Sequence, residues 1–96
     1  MRPSEALAKH RDEVLAIIAR YPVSNPRVFG SVARGEDVEG SDLDILLDHG
    51  GLMSTFDLAR LELELERLLE SRVDIRTPAA LSVMVDQRIA GDVRPL

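Results

Sequence analysis

Asp42 and Asp44 stand two residues apart in the run Ser41-Asp42-Leu43-Asp44-Ile45-Leu46-Leu47. If that run is a strand, both side chains leave one face, with roughly 6–7 Å between their Cα atoms. Asp74 sits in the middle of a second short run, Arg72-Val73-Asp74-Ile75-Arg76, where a core residue would be expected. Should the two strands be neighbours, a third carboxylate joins the pair. Three carboxylates without counter-charge repel and raise one another's pKa. A hard divalent cation resolves the conflict, and magnesium characteristically combines a few carboxylates with phosphate oxygens of a substrate. The plainer reading of a lone aspartate is a strand end or a turn cap. Two on one strand face weaken that reading.

A second element lies upstream. Gly30-Ser31 follows the apolar pair Val28-Phe29 and precedes a short helical pattern. Glycine lets backbone approach a ligand closely, and amides at a helix start favour phosphate. The Ser31 hydroxyl adds a donor to the same oxygens. Arg34 lies one helical turn further on and can reach a phosphate. Gly35 suits the turn out of that helix, and Ser41 suits either a nucleotide contact or a cap on the strand that follows. The pair is not a Walker motif, which needs Gly-x-x-x-x-Gly-Lys-Ser/Thr, and alone it serves any tight turn.

Together, Gly30-Ser31, ten intervening residues and Asp42-Leu43-Asp44 are far more specific than apart. Residues 28–47 resemble the nucleotidyltransferase superfamily of DNA polymerase β type. Within it the chain is similar to the minimal nucleotidyltransferases (MNT), the antitoxin half of HEPN–MNT toxin–antitoxin pairs. The resemblance implies a protein adenylyltransferase that uses ATP and two Mg2+ ions. Asp42 and Asp44 would bind both ions. Asp74, a looser match to the family's third carboxylate, would complete the second metal site and help deprotonate the attacking hydroxyl. Gly30 and Ser31 would hold the triphosphate, with Arg34 and Ser41 beside it. The implied partner is a HEPN ribonuclease toxin, whose tyrosine accepts AMP and is silenced by it. Two other readings stay open: a non-catalytic antitoxin that acts by contact alone, and a transferase acting on RNA or a small molecule.

The elements that must position these residues are legible from hydrophobic spacing. Leu7, Val14, Ile18 and Tyr21 give an amphipathic helix over Ser4–Tyr21, ended by Pro22 and Pro26. Arg27-Val28-Phe29 is a short strand, Ser31–Glu36 a helical turn, and Asp42–Asp48 a strand ended by Gly50-Gly51. Ser54 and Asp57 form a capping box for a helix with Leu58, Leu61, Leu65, Leu68 and Leu69 inward. Arg60, Glu62, Glu64, Glu66 and Arg67 point outward, and Leu63 lies off the stripe. Arg72–Arg76 is a third strand, and Pro78 opens a last helix to Ile89. The expected fold class is α/β (α+β), a small mixed β-sheet with helices packed on it. The resemblance makes this the polymerase β-like nucleotidyltransferase fold, in one domain over residues 1–96.

Composition excludes much else. The chain has 96 residues, a length suited to one domain. It has no cysteine, so disulfides, thiolate zinc sites and a cysteine nucleophile are ruled out. Two histidines cannot build a histidine-rich metal site. The net charge of −5 argues against nucleic acid as a stable partner, because counterion release needs a basic face. No apolar stretch approaches the roughly 20 residues that span a bilayer, which points to a cytoplasmic protein. A chain this short expects its acceptor in trans, on a partner protein, and a homo- or hetero-oligomer stays open.

Overall fold

A computed structural model describes residues 1–49, 53–77 and 92–96. The expected Gly50-Gly51 break and the helix from Pro78 to Ile89 lie outside the described residues. Chain order is α1 (Pro3–Lys9), α2 (Arg11–Ile18), β1 (Val23–Phe29), α3 (Gly30–Arg34), β2 (Leu43–His49), α4 (Thr55–Leu69), β3 (Val73–Arg76) and β4 (Arg94–Pro95). The four strands form one sheet in the order β3-β2-β1-β4. β1 runs antiparallel to both β2 and β4, while β2 and β3 are parallel, joined across α4. The sheet is therefore mixed, as expected.

The single helix expected over Ser4–Tyr21 is two. At His10 the backbone leaves helical angles (φ −112°, ψ 21°), and its ring Nδ1 meets Glu13 Oε1 at 2.9 Å. The break lets Ala6 and Leu7 on α1 and Val14 and Ile18 on α2 all reach the same core. Strand β1 starts four residues before the expected Arg27, because its pairing with β2 absorbs an irregularity between Ser24 and Arg27. Asn25 there takes a left-handed φ of 52°. Pro26, which lacks a ladder donor, sits inside the same irregularity.

Helix α4 begins as its sequence dictates. Asp57 N donates to Ser54 Oγ at 3.1 Å, and Ser54 N donates to Asp57 Oδ2 at 3.0 Å. Leu61, Leu65 and Leu69 are buried beneath it against Leu43, Ile45, Leu47, Val73 and Ile75. Leu63 and Phe56 stay exposed. One face of the sheet thus carries the core, and the alternate residues of β2 and β3 are left for the other face.

The loop between α3 and β2 is anchored by a residue the sequence did not mark. Asp37 is 2% exposed, and its Oδ2 accepts from Ser4 N at 2.8 Å, which satisfies an amide in the first turn of α1. Burial alone would raise the Asp37 pKa, but the hydrogen bonds from Ser4 outweigh it and the net direction is down. Asp37→Ala should destabilise the fold by about 1–3 kcal/mol in urea unfolding, with Asp37→Asn, which keeps an acceptor, losing less.

Candidate functional site

Asp42 immediately precedes β2, and Asp44 is its second residue. The intervening Leu43 and the following Ile45 are fully buried, so both aspartates leave the opposite face. Register then decides what they meet. Asp44 is paired across the antiparallel ladder with Phe29 and across the parallel ladder with Asp74. Neighbouring strands lie about 4.8 Å apart, so the two carboxylates share one face side by side. The parallel pairing delivers the juxtaposition that the sequence could only make conditional.

Burial pushes the Asp44 carboxyl up to about 6, helped by the charges of Asp74 and Asp42 and opposed by Arg76 and Arg34. Two of those influences have visible partners. Asp74 Oδ2 stands 3.0 Å from Arg76 Nη2, and Asp42 Oδ1 stands 3.9 Å from Arg72 Nε. The outward face of β3 therefore reads Arg72-Asp74-Arg76. Period-two alternation in Arg72-Val73-Asp74-Ile75-Arg76 carries that information, although only the carboxylate marks the strand as part of a site.

Gly30 opens α3 with φ +73°, a conformation that side-chain-bearing residues rarely adopt. A Cβ built there would lie 2.5 Å from Asp44 Oδ2. The glycine is thus required twice, by its backbone and by the carboxylate against it. Ser31 follows in the first turn of α3, and Gly35 ends that turn with φ 72°. Arg34 pairs with Glu36 and Asp92, each at 3.3 Å, while its charge is felt at Asp44. Ser41 Oγ accepts from Val38 N at 2.9 Å, a contact that closes the turn before Asp42. That contact matches its structural reading.

Glu62 and Glu66 depart from the outward positions expected of them. They reach from α4 to the amides of Ile75 and Val73, each at 3.1 Å. With Asp42, Arg72, Asp74 and Arg76 they line a cleft of about 290 Å³. A larger hollow of about 340 Å³ around Arg20, Tyr21, Arg60 and Glu64 contains none of the three candidate carboxylates.

Among the described residues, no three acidic or histidine side chains are gathered in the geometry of a metal site. Asp42 and Asp74 each face an arginine instead, Arg72 at 3.9 Å and Arg76 at 3.0 Å. The donor chemistry nevertheless fits a hard cation. Asp44 is part-buried beside two like charges, and both the burial and those charges raise its pKa; oxygen-only carboxylate donors suit magnesium.

The family model of the nucleotidyltransferase domain matches residues 7–93. The chain belongs to this family. Like other nucleotidyltransferases it is an enzyme. It is 36% identical over 87 residues to protein adenylyltransferase MntA of Thermococcus cleftensis, covering 91% of this chain and 85% of that one. A solved structure described as a minimal nucleotidyltransferase is 42% identical, with a TM-score of 0.84, covering 97% of this chain and 95% of the other. A chain from the complex of tri-AMPylated Shewanella oneidensis HEPN toxin with MNT antitoxin superposes with a TM-score of 0.71. At 16% identity, over 92% of this nucleotidyltransferase and 69% of that chain, it shares the fold.

Proposed function

We propose that this nucleotidyltransferase moves AMP from ATP to a hydroxyl of a partner protein, with magnesium as cofactor. The partner is a HEPN-type toxin, which this chain restrains as its antitoxin in the cytoplasm, acting as a single domain over residues 1–96. The observation that carries the reading is the register pairing of Asp44 with Asp74, beside Asp42 and against Gly30. The partner assignment is supported by the relatives described above.

Asp42 and Asp44 would hold magnesium, with Asp74 completing the set. When bound, magnesium supplies positive charge to both the entering and the leaving oxygens of an in-line displacement. Gly30 presents backbone where a side chain would collide with Asp44, which leaves room for a triphosphate close to the carboxylates. Ser31 adds a hydroxyl there, Arg34 a guanidinium, and Ser41 fixes the approach of Asp42. The acceptor oxygen bonds to the α-phosphorus as the bond from that phosphorus to the bridging oxygen breaks. Pyrophosphate leaves, and the acceptor's proton passes to the Asp74 carboxylate.

A protein that neutralised its partner by contact alone would have no use for an Asp44 buried beside Asp74 and Asp42, where burial and then the two like charges raise its pKa to about 6. The deciding experiment adds magnesium and ATP labelled on its α-phosphate to host extract with purified protein. Label is expected in one protein band and absent with Asp42→Ala/Asp44→Ala. Label in RNA or a metabolite, or none at all with the partner still captured, would overturn the proposal.

A further inference from the structure

Among the described residues, strand β3 is an edge strand of four residues, bonded to β2 on one side only. Leu43 N donates to Arg72 O at 2.8 Å, so in the parallel ladder the next amides alternate toward and away from β2. The amides of Val73 and Ile75 fall on the open side. Both carry buried side chains, and an edge amide left without a partner is costly there.

The partners come from α4. Val73 N donates to Glu66 Oε2 and Ile75 N donates to Glu62 Oε1, each at 3.1 Å. The spacing is matched: one helical turn between residues four apart rises about 6 Å, and two strand residues span about 6.6 Å. Both acceptors are carboxylates, so both bonds are charge-assisted. Between the two clamped amides sits Asp74. The side chain that must stand beside Asp44, against like-charge repulsion, is therefore held by a strand gripped on both its edges.

We infer that Glu62 and Glu66 are positioning residues for Asp74, clamping β3 so that its carboxylate stays in register with Asp44. The inference rests on the reading of Asp74 as the third site carboxylate. A clamp that served the fold alone would leave metal affinity and transfer untouched in whatever protein remained folded, and the test uses that difference.

The measurements are Mn2+ binding by electron paramagnetic resonance, amide exchange at Val73 and Ile75, and the initial rate of labelling of the acceptor protein with α-labelled ATP. In Glu62→Ala/Glu66→Ala, both amides should exchange at least roughly tenfold faster. Mn2+ should bind roughly 10–100-fold more weakly. The labelling rate at saturating ATP should fall by at least about tenfold, with the KM for ATP within about twofold. Glu62→Gln/Glu66→Gln keeps an acceptor oxygen at each position and should recover most of the loss. Leu68→Ala on the same helix should lower stability without moving Mn2+ affinity or rate. If the double alanine variant does not fold, Glu62→Ala and Glu66→Ala are read singly by the same criteria. Mn2+ affinity and rate within about twofold of the parent, while Asp74→Ala abolishes transfer, would overturn the clamp and leave the site reading intact. Full transfer by Asp74→Ala would overturn the site reading and the clamp with it.

Discussion

Asp44→Asn is expected to abolish nucleotidyl transfer and, in the same sample, to raise the thermal midpoint of the metal-free protein. On the proposed function, losing a carboxylate that would hold magnesium removes several kcal/mol of transition-state stabilisation, about a thousandfold in rate or more. The gain in stability follows from the raised pKa. Asp44 titrates near 6 when folded against an ordinary 3.8, so the folded chain holds this proton more tightly than the unfolded one. The group therefore costs nothing below about pH 4; its cost builds up between about pH 4 and 6 and is fully present above 6. A shift of about two units corresponds to roughly 3 kcal/mol. Asp44 is only part-buried, and solvent screening reduces this to about 1–2 kcal/mol. Asparagine imitates the protonated form. With EDTA at pH 7.5 the variant should melt about 5 °C or more above the parent, an advantage that vanishes towards pH 4. Magnesium should raise the midpoint of the parent and not that of the variant. A variant less stable than the parent at pH 7.5 would show that the three carboxylates are not in conflict.

Gly30→Ala should lose transfer by about a hundredfold or more and also lose stability. A left-handed backbone costs an alanine about 1–2 kcal/mol. The new Cβ would lie 2.5 Å from Asp44 Oδ2, so the carboxylate has to move as well. A displacement of about 1 Å at a reacting centre is enough for a hundredfold loss. Gly35→Ala is the control, because Gly35 has nearly the same φ (+72°) and nothing within 4 Å of where its methyl group would lie. It should show the backbone cost in urea unfolding while keeping most of its transfer. Equal loss of activity in both variants would mean that backbone strain, and not the contact with Asp44, is what Gly30 protects.

Much of the candidate site's geometry was legible in the sequence because it is written in short periods. Alternation through Asp42-Leu43-Asp44 gave the shared face, and Val73-Asp74-Ile75 gave the third carboxylate a face of its own. Their meeting depended on strand order, which no local pattern encodes. The Ser54–Asp57 capping box and the leucine stripe of α4 were equally readable, being contacts within one turn or one face. What the local patterns do not carry joins distant positions through side chain and backbone. Asp37 caps an amide 33 residues away, and Glu62 accepts from an amide 13 residues away. Such partners leave no periodic trace. Pro26 misled for a different reason: proline marks the end of regular pairing, and here the strand continues around an irregularity.

The parallel pairing of β2 with β3 also bears on how the molecule comes to be active. Asp44 and Asp74 are thirty positions apart in the chain, and the helix between them must cross over before their strands can meet. Closing that crossover spends chain entropy before any ladder bond compensates it, the kind of non-local step that slows folding. The β1–β2 pairing and the turns of α3 involve nearer neighbours in sequence. Gly30 is therefore expected to meet the Asp42–Asp44 pair before Asp74 joins them, which pulsed amide exchange during refolding would check. The candidate trio is thus a property of the crossover topology and not of any one local segment.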